Sequence, residues 1–397
     1  MNIKVKGALV SGVVEAIPSK SYVHRISICN FLAGKTEFCN CGEFFSNDVT
    51  ATKNCLSALR RGETRLDAGE SGSTLRFLLP LLSAIGGEYQ IIGHGKLMER
   101  PNQELFSALN QHGVKAEQTD CIKISGKLIS GEFYLRGDIS SQYVSGLLMA
   151  LPTLDGDSKI ILTTPLVSEP YVDITLQVLK AYGIEITRFK NGFNVKGNQK
   201  YRGELLPEGD WSNSAFFLVL GAIAGKISVQ GLNLNSVQGD KKIMDVLKSA
   251  GAKISLNDGL ITTEKSALNG FTLDAENCPD LVPISAVLAS FASGKTVIKN
   301  VSRLKIKESD RIESTIKMLG AFNVKAEYVD GDMVVYGGKT IAGEIDSFND
   351  HRITMSSAVM ATATDCESIL YRADAVNKSY PEFFVHLTKV GGIVNEF

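Results

Sequence analysis

The chain has 397 residues, 44% apolar and 21% charged, an ordinary globular composition that is too long for one core of usual size, so two domains are expected. The formal net charge of −1 excludes the global basic field that nucleic acid or an anionic membrane surface would need. Seven scattered cysteines, no basic-then-apolar leader and no apolar run approaching about 18 residues point to a reduced cytoplasmic protein.

In chain order, an alternating strand pattern opens the sequence, and six apolar helices with one layout follow. Each has a Ser-, Asp- or Asn-rich start, about ten apolar or small residues, and a Gly or turn. They begin near Ser21, Ser73, Ser141, Ser212, Asp280 and Asp350. Little charge follows the first turn, which predicts helices buried on most sides. Between them lie amphipathic helices, expected at Asn47–Leu59, Pro101–His112, Tyr171–Tyr182, Asp240–Ala250, Ser309–Leu319 and Pro381–Val390. Most end in Gly or a turn and run into a β-branched strand. The apolar starts are 52, 68, 71, 68 and 70 residues apart. A period near 70 with the order strand, helix, strand, helix, strands is an internal repeat. Six units divide into two globules of three. In the short first interval, Gly62-Glu63-Thr64-Arg65 leads directly to Leu66, so a strand hairpin is missing or shrunken there.

Arg303–Arg311 places six charged residues in nine positions. If Lys305–Lys307 is extended, both ammonium groups share a face. Ser309 would then cap a helix, with Glu308 and Arg311 on one side of its start. This is either a solvated charged turn or a site for a multiply charged anion with a proton-transfer group beside it. Other charged and small polar residues also cluster at helix starts, where free N–H groups and a partial positive charge favour anions. Arg25 and Arg76 are the hardest to read as surface, because a guanidinium on a buried helix needs a partner.

Other chemistries lack their motifs. Gly34-Lys35-Thr36 and Gly294-Lys295-Thr296 have Cys29 and Ala289 where a phosphate loop needs its first Gly. Gly93-His94-Gly95 has no third Gly, and Cys39-Asn40-Cys41 is too close for a zinc knuckle, so no metal is expected.

Eight motifs occur in order: P-S-K-S-x-x-x-R (Pro18–Arg25), G-x-S-G-S-x-x-R (Gly69–Arg76), E-R-P (99–101), S-S-Q (140–142), S-x-P-Y-x-D-I-T (Ser168–Thr175), K-E-S-D-R (307–311), N-D-H-R (349–352) and K-S-Y-P-x-F (378–383). The set resembles the 5-enolpyruvylshikimate-3-phosphate synthases. The resemblance implies an α/β fold of two globular domains, each an inside-out barrel of three βαβαββ-type repeats, with the active site in the interdomain cleft. It implies globules of residues 20–208 and of 1–19 plus 209–397, with hinges near 19 and 208, working as a monomer without a cofactor. The implied reaction joins the 5-hydroxyl of shikimate 3-phosphate to C2 of phosphoenolpyruvate and then eliminates phosphate.

The resemblance also implies roles. Lys20, Ser21, Arg25, Ser140, Ser141, Gln142, Ser168, Tyr171, Asp280, Arg303 and Lys307 would hold shikimate 3-phosphate. Lys20, Gly72, Arg100, Arg311, Arg352 and Lys378 would hold phosphoenolpyruvate, supported by Ser73, Arg76 and His351. Asp280 and Glu308 would transfer protons with Lys20 assisting. Glu70 and Arg303 stand where Asn is common in the family, and the first repeat is short. The related transferases acting on UDP-N-acetylglucosamine carry Lys-Asn where this chain has Lys20-Ser21, and a loop cysteine that His94–Glu99 lacks. A non-catalytic anion-binding paralogue is the remaining alternative.

Overall fold

The computed structural model describes residues 1–39, 42 and 46–397, so Asn40 and Cys41 of the cysteine tripeptide lie outside the described residues. Contacts divide the chain into one unit of Met1–Ser19 with Glu208–Phe397 and another of Lys20–Pro207. In the first unit the two chain segments that lead out of it are tied side by side. Ser19 N donates to the Glu208 carbonyl at 2.8 Å, Asp210 N donates to that of Ile17 at 2.8 Å, and Pro18 bridges Gly209.

Among the described residues, five repeats carry the same four-stranded sheet. In four of them two strands pair in parallel across a buried helix, in the fifth the whole Lys20–Pro207 unit also lies between the parallel strands in sequence, and an antiparallel pair follows a second helix. In the Lys20–Pro207 unit the parallel pairs are Arg65–Asp67 with Gly87–Ile92 and Glu132–Leu135 with Ser158–Leu162. In the other unit they are Val10–Glu15 with Gly225–Gln230, Thr272–Asp274 with Lys295–Lys299, and Glu344–Asp346 with Glu367–Tyr371. The last sheet is completed by the N-terminal strand Ile3–Lys6, which pairs antiparallel with both Glu367–Tyr371 and Ile393–Glu396. A parallel pair needs a crossover, and the apolar helix supplies it while filling the core.

The apolar helices are buried as their sequences demand. Every residue of Trp211–Ala224 and of His351–Thr362 is buried. Where Gly72–Ile85 crosses Ser141–Ala150, a Cβ on Gly146 would stand 2.6 Å from the Arg76 carbonyl, so only glycine admits this approach.

Three local expectations need correction. The first repeat is more than shortened. Lys20–Leu32 and Asn47–Arg60 form a helix pair with no strand of their own among the described residues, and with four residues between, the chain passes from Arg60 into the edge strand of the next sheet at Arg65. Four residues cannot make a hairpin of two strands. The helix expected from Ser309 begins at Arg311 and runs to Ala321. Its cap is Asp310, whose carboxylate accepts from Ile312 N and Glu313 N at 3.2 and 3.1 Å, because the Ser309 hydroxyl is bonded to Asp350 instead. Residues 302–306 form a 3-10 turn, not a strand, so alternation does not align Lys305 with Lys307. Lys305 instead stands over the Tyr328 ring at 4.6 Å.

Candidate active site

In the unit containing the C-terminus, one guanidinium organises three carboxylates. Arg311 is 1% exposed. Its Nε donates to Asp350 Oδ2 at 2.9 Å, Nη1 to Asp280 Oδ1 at 2.9 Å, and Nη2 to Glu308 Oε2 at 2.5 Å and to Asp350 Oδ1 at 3.2 Å. The planar fork of arginine suits this; lysine would offer a single point. Asp350 caps its own helix by accepting from Arg352 N at 2.9 Å, and also accepts from the Ser309 hydroxyl at 3.0 Å. Arg352 Nη2 donates to the other Asp280 oxygen at 2.9 Å. Lys378 Nζ donates to the Asn349 carbonyl at 2.7 Å, one residue before the cap. Phe348 and Asn349 both adopt left-handed backbone (φ 53° and 56°), a strained approach to that helix start.

The electrostatics follow. Burial alone would raise the Asp280 carboxyl, but Arg352, Lys307 and Arg311 outweigh it and hold Asp280 well below the usual carboxylate range. Burial disfavours the Arg311 cation, yet Asp350, Glu308 and Asp280 more than offset this and raise it. Asp240, buried close by, goes the other way. Burial first and the Asp280 charge second push it up to about 7, against Arg352 and the polar Ser212 side chain. His351 is buried at the same helix start. Arg303 donates to the Glu276 carbonyl at 2.6 Å.

The Lys20–Pro207 unit gathers a second set at helix N-termini. Lys20, the first residue of its helix, is paired with Asp48 at 2.7 Å. Arg25 is buried, and its described hydrogen bonds go to neutral oxygens: Thr175 Oγ1 (2.6 Å), the Ser21 and Tyr171 carbonyls (2.7 and 2.8 Å) and Ser145 Oγ (3.3 Å). Burial pulls its guanidinium down to about 10, so it stays charged at neutral pH. Ser168, in left-handed backbone (φ 54°), leads the helix that carries Tyr171 and Thr175. Arg76 reaches Gln142 Oε1 at 2.7 Å and Asn102 Oδ1 at 3.3 Å. Gln142 in turn donates to Ser73 Oγ at 2.9 Å, and Ser140 caps the helix of Ser141 and Gln142. Gly72 lies under Arg100, where a Cβ would meet Nη1 at 2.7 Å, and Arg100 Nε is buried with no hydrogen-bond partner among the described residues. A buried cation with neutral partners, or with an idle donor, suits an anionic ligand. The Glu70 carboxylate is lodged against the left-handed Gly95, where a Cβ would stand 2.6 Å from Oε2.

Sequence reasoning missed Asp48, Asp240 and Asp350 as members of these sets. Asp350 lies inside the N-D-H-R motif, and its place at a charged helix start was the available signal. Asp48 and Asp240 look like ordinary charges at helix starts and gave none. Among the described residues no group of His, Cys, Asp or Glu could hold a metal ion, and no helix is long and apolar enough to cross a membrane.

Residues 46–387 match the family described as EPSP synthase (3-phosphoshikimate 1-carboxyvinyltransferase). A 3-phosphoshikimate 1-carboxyvinyltransferase from Clostridium novyi (strain NT) is 37% identical, over 100% of this chain and 99% of the relative. One from Clostridioides difficile (strain 630) is also 37% identical over the same shares. Among solved structures, the EPSP synthase of Acinetobacter baumannii superposes with a TM-score of 0.79 at 22% identity over 100% of both chains. The enolpyruvyl transferase NikO of Streptomyces tendae reaches 0.78 at 15% identity, over 99% of this chain and 98% of its own. The last two support the two-domain enolpyruvyl transferase fold, and the sequence matches set the family: this chain belongs to the EPSP synthase (3-phosphoshikimate 1-carboxyvinyltransferase) family.

Proposed function

We propose that the chain transfers the enolpyruvyl group of phosphoenolpyruvate to the 5-hydroxyl of shikimate 3-phosphate, the carboxyvinyl transfer of the shikimate pathway for which its relatives are named. The observation that carries the reading is the Asp280 carboxylate, gripped by Arg311 and Arg352 with Glu308 on the same guanidinium. In the first step the substrate oxygen bonds to C2 of phosphoenolpyruvate, the hydroxyl proton passes to a base, and C3 takes a proton from an acid. In the second, phosphate leaves C2 and C3 gives a proton back. Two phosphates and two carboxylates must be held together, which needs several cations at once.

We assign phosphoenolpyruvate to Lys20, Gly72, Arg100, Arg311, Arg352 and Lys378. Shikimate 3-phosphate falls to Lys20, Ser21, Arg25, the 140–142 helix start, Ser168, Tyr171, Asp280, Arg303 and Lys307. Asp280 gains a logic of its own here. The arginines that depress it are also the ones that an arriving anion would engage. Once Arg352 turns toward substrate while Arg311 keeps its grip, Asp280 loses counter-charge and its proton affinity rises, so base strength appears when the substrate is in place. Glu308, on the same guanidinium, is the partner in proton transfer.

The test is phosphate release from phosphoenolpyruvate with shikimate 3-phosphate, run beside UDP-N-acetylglucosamine as the acceptor. Release is expected with the first only, and Lys20→Met should lower it by about 10³-fold through loss of a positioned cation and proton donor. Release with the sugar nucleotide, or none with either, would overturn the reading. Gly72→Ala tests one contact: its methyl would displace the Arg100 guanidinium. We expect the KM for phosphoenolpyruvate to rise about 10-fold, roughly 1.4 kcal/mol, with the KM for shikimate 3-phosphate little changed. Equal shifts in both would remove Gly72 from the phosphoenolpyruvate assignment.

A further inference from the structure

Three helices of the Lys20–Pro207 unit begin at residues of the proposed phosphoenolpyruvate half-site or at their partners. Lys20 opens Lys20–Leu32, Asp48 lies in the first turn of Asn47–Arg60, and Gly72 opens Gly72–Ile85. Behind these starts runs a continuous line of buried polar side chains. Ser71 Oγ lies 2.8 Å from Thr74 Oγ1, Thr74 Oγ1 lies 2.6 Å from Thr52 Oγ1, and Thr52 Oγ1 lies 2.7 Å from His24 Nδ1. Thr74 Oγ1 also stands 3.3 Å from the carbonyl of Asp48, the residue that pairs with Lys20. Ser71 caps the Gly72 helix by accepting from Thr74 N at 3.1 Å. All four side chains are 1% exposed or less. The His24 ring is turned edge-on to Phe77, one turn along the Gly72 helix from Thr74, with centroids 6.4 Å apart.

Burying three hydroxyls and an imidazole between apolar helices is costly unless they bond to one another, and a quartet of apolar residues would fill the space without that penalty. The polar chain therefore needs a reason. Apolar contacts allow helices to slide, whereas a hydrogen bond of 2.6 to 2.8 Å fixes its two ends to a few tenths of an ångström. Burial foremost, then the charges of Lys20 and Arg25, keep the His24 ring below its usual value and hence neutral, so Nδ1 can accept from Thr52.

We propose that Ser71, Thr74, Thr52 and His24 are positioning residues that lock these three helix starts together, and so set the Lys20–Asp48 pair against Gly72 and the Arg100 guanidinium. The inference rests on the phosphoenolpyruvate reading of this half-site. It acts on phosphoenolpyruvate more than on shikimate 3-phosphate, because the Ser141–Ala150 and Glu169–Ala181 helices and their caps carry five groups of the second assignment and none of this chain, whereas only Ser21 and Arg25 follow Lys20 on the helix of His24. A misplacement of about 1 Å at a reacting group costs on the order of 10²-fold, so part of an ångström at helix starts is measurable.

Thr52→Val keeps the shape and removes the central link. The KM for phosphoenolpyruvate is expected to rise about 5- to 20-fold, with the KM for shikimate 3-phosphate within about 2-fold and recovery of the first in Thr52→Ser. Thr74→Val, which breaks the next link, should show the same split and serves if Thr52→Val does not fold. An unchanged KM for phosphoenolpyruvate, parallel shifts for both substrates, or no rescue by serine would overturn the inference while leaving the proposed function intact. If the wild-type protein is silent with both substrates, the proposed function fails instead. The inference is then decided by the rise in Tm that phosphoenolpyruvate confers: loss of that rise in Thr52→Val with recovery in Thr52→Ser upholds it, and an unchanged rise overturns it.

Discussion

Arg311→Met is expected to lower the unfolding free energy of the unit that contains it by about 3–5 kcal/mol and to cut turnover by more than about 10³-fold. The stability loss comes mainly from Asp350. That carboxylate is fully buried and receives two of the four hydrogen bonds that Arg311 makes. Methionine fills the volume but leaves Asp350 without its counter-charge, and an uncompensated buried charge costs more than the ion pair ever contributed. Asp280 and Glu308 are partly exposed and suffer less, because solvent screens them. Turnover falls for a separate reason: the fork holds both proposed proton-transfer carboxylates in one plane. Arg311→Lys separates the two effects. Its charge should recover part of the stability, while its single ammonium cannot hold three carboxylates, so activity should stay low. Urea unfolding and phosphate release on both variants are the measurements. A fully active Arg311→Lys would show that the fork geometry is dispensable.

Much of the architecture was legible because it is periodic. The spacing of apolar helix starts gave the repeat, and the buried helices lie within a turn of where composition placed them. What failed was local and had a local cause. Ser309 and Asp310 are both good caps, and the choice between them was made by Asp350, some forty residues away, which takes the serine hydroxyl. The strandless first repeat was visible only as a short interval, since spacing counts residues and does not say which strands are lost. The candidate sites show the same boundary. Glu308 and Arg311 are three apart, and the sequence could bring them together. Lys20 with Asp48, and Arg25 with Thr175 150 residues on, are pairings that only the packing of helix starts creates. The Ser71–His24 chain was invisible for the same reason, because single Ser and Thr residues at helix starts read as caps.

Asp240→Asn should reshape the pH dependence of stability, and the sign can be derived. Burial and the neighbouring Asp280 charge push the Asp240 carboxyl up to about 7 in the folded chain, from a model-peptide value of 3.8. Between those values the folded protein retains a proton that the unfolded chain has lost, so stability falls as pH rises through the window, by up to about 1.4 kcal/mol per pH unit. The contribution is fully present below about pH 4 and gone above about pH 7. Asp280 works in the opposite sense. Its folded value is depressed, so its contribution is present above the unfolded carboxylate range and is lost only in acid. Asparagine is neutral at every pH and keeps the shape, so the variant should lack the decline. Urea midpoints at pH 5, 6, 7 and 8 should converge for wild type and variant, or cross, as pH rises, with the variant gaining relative stability at the alkaline end. Parallel curves would mean that Asp240 is ionised throughout. Arg352 would then be shared at neutral pH between two ionised carboxylates, Asp240 and Asp280, before any substrate arrives.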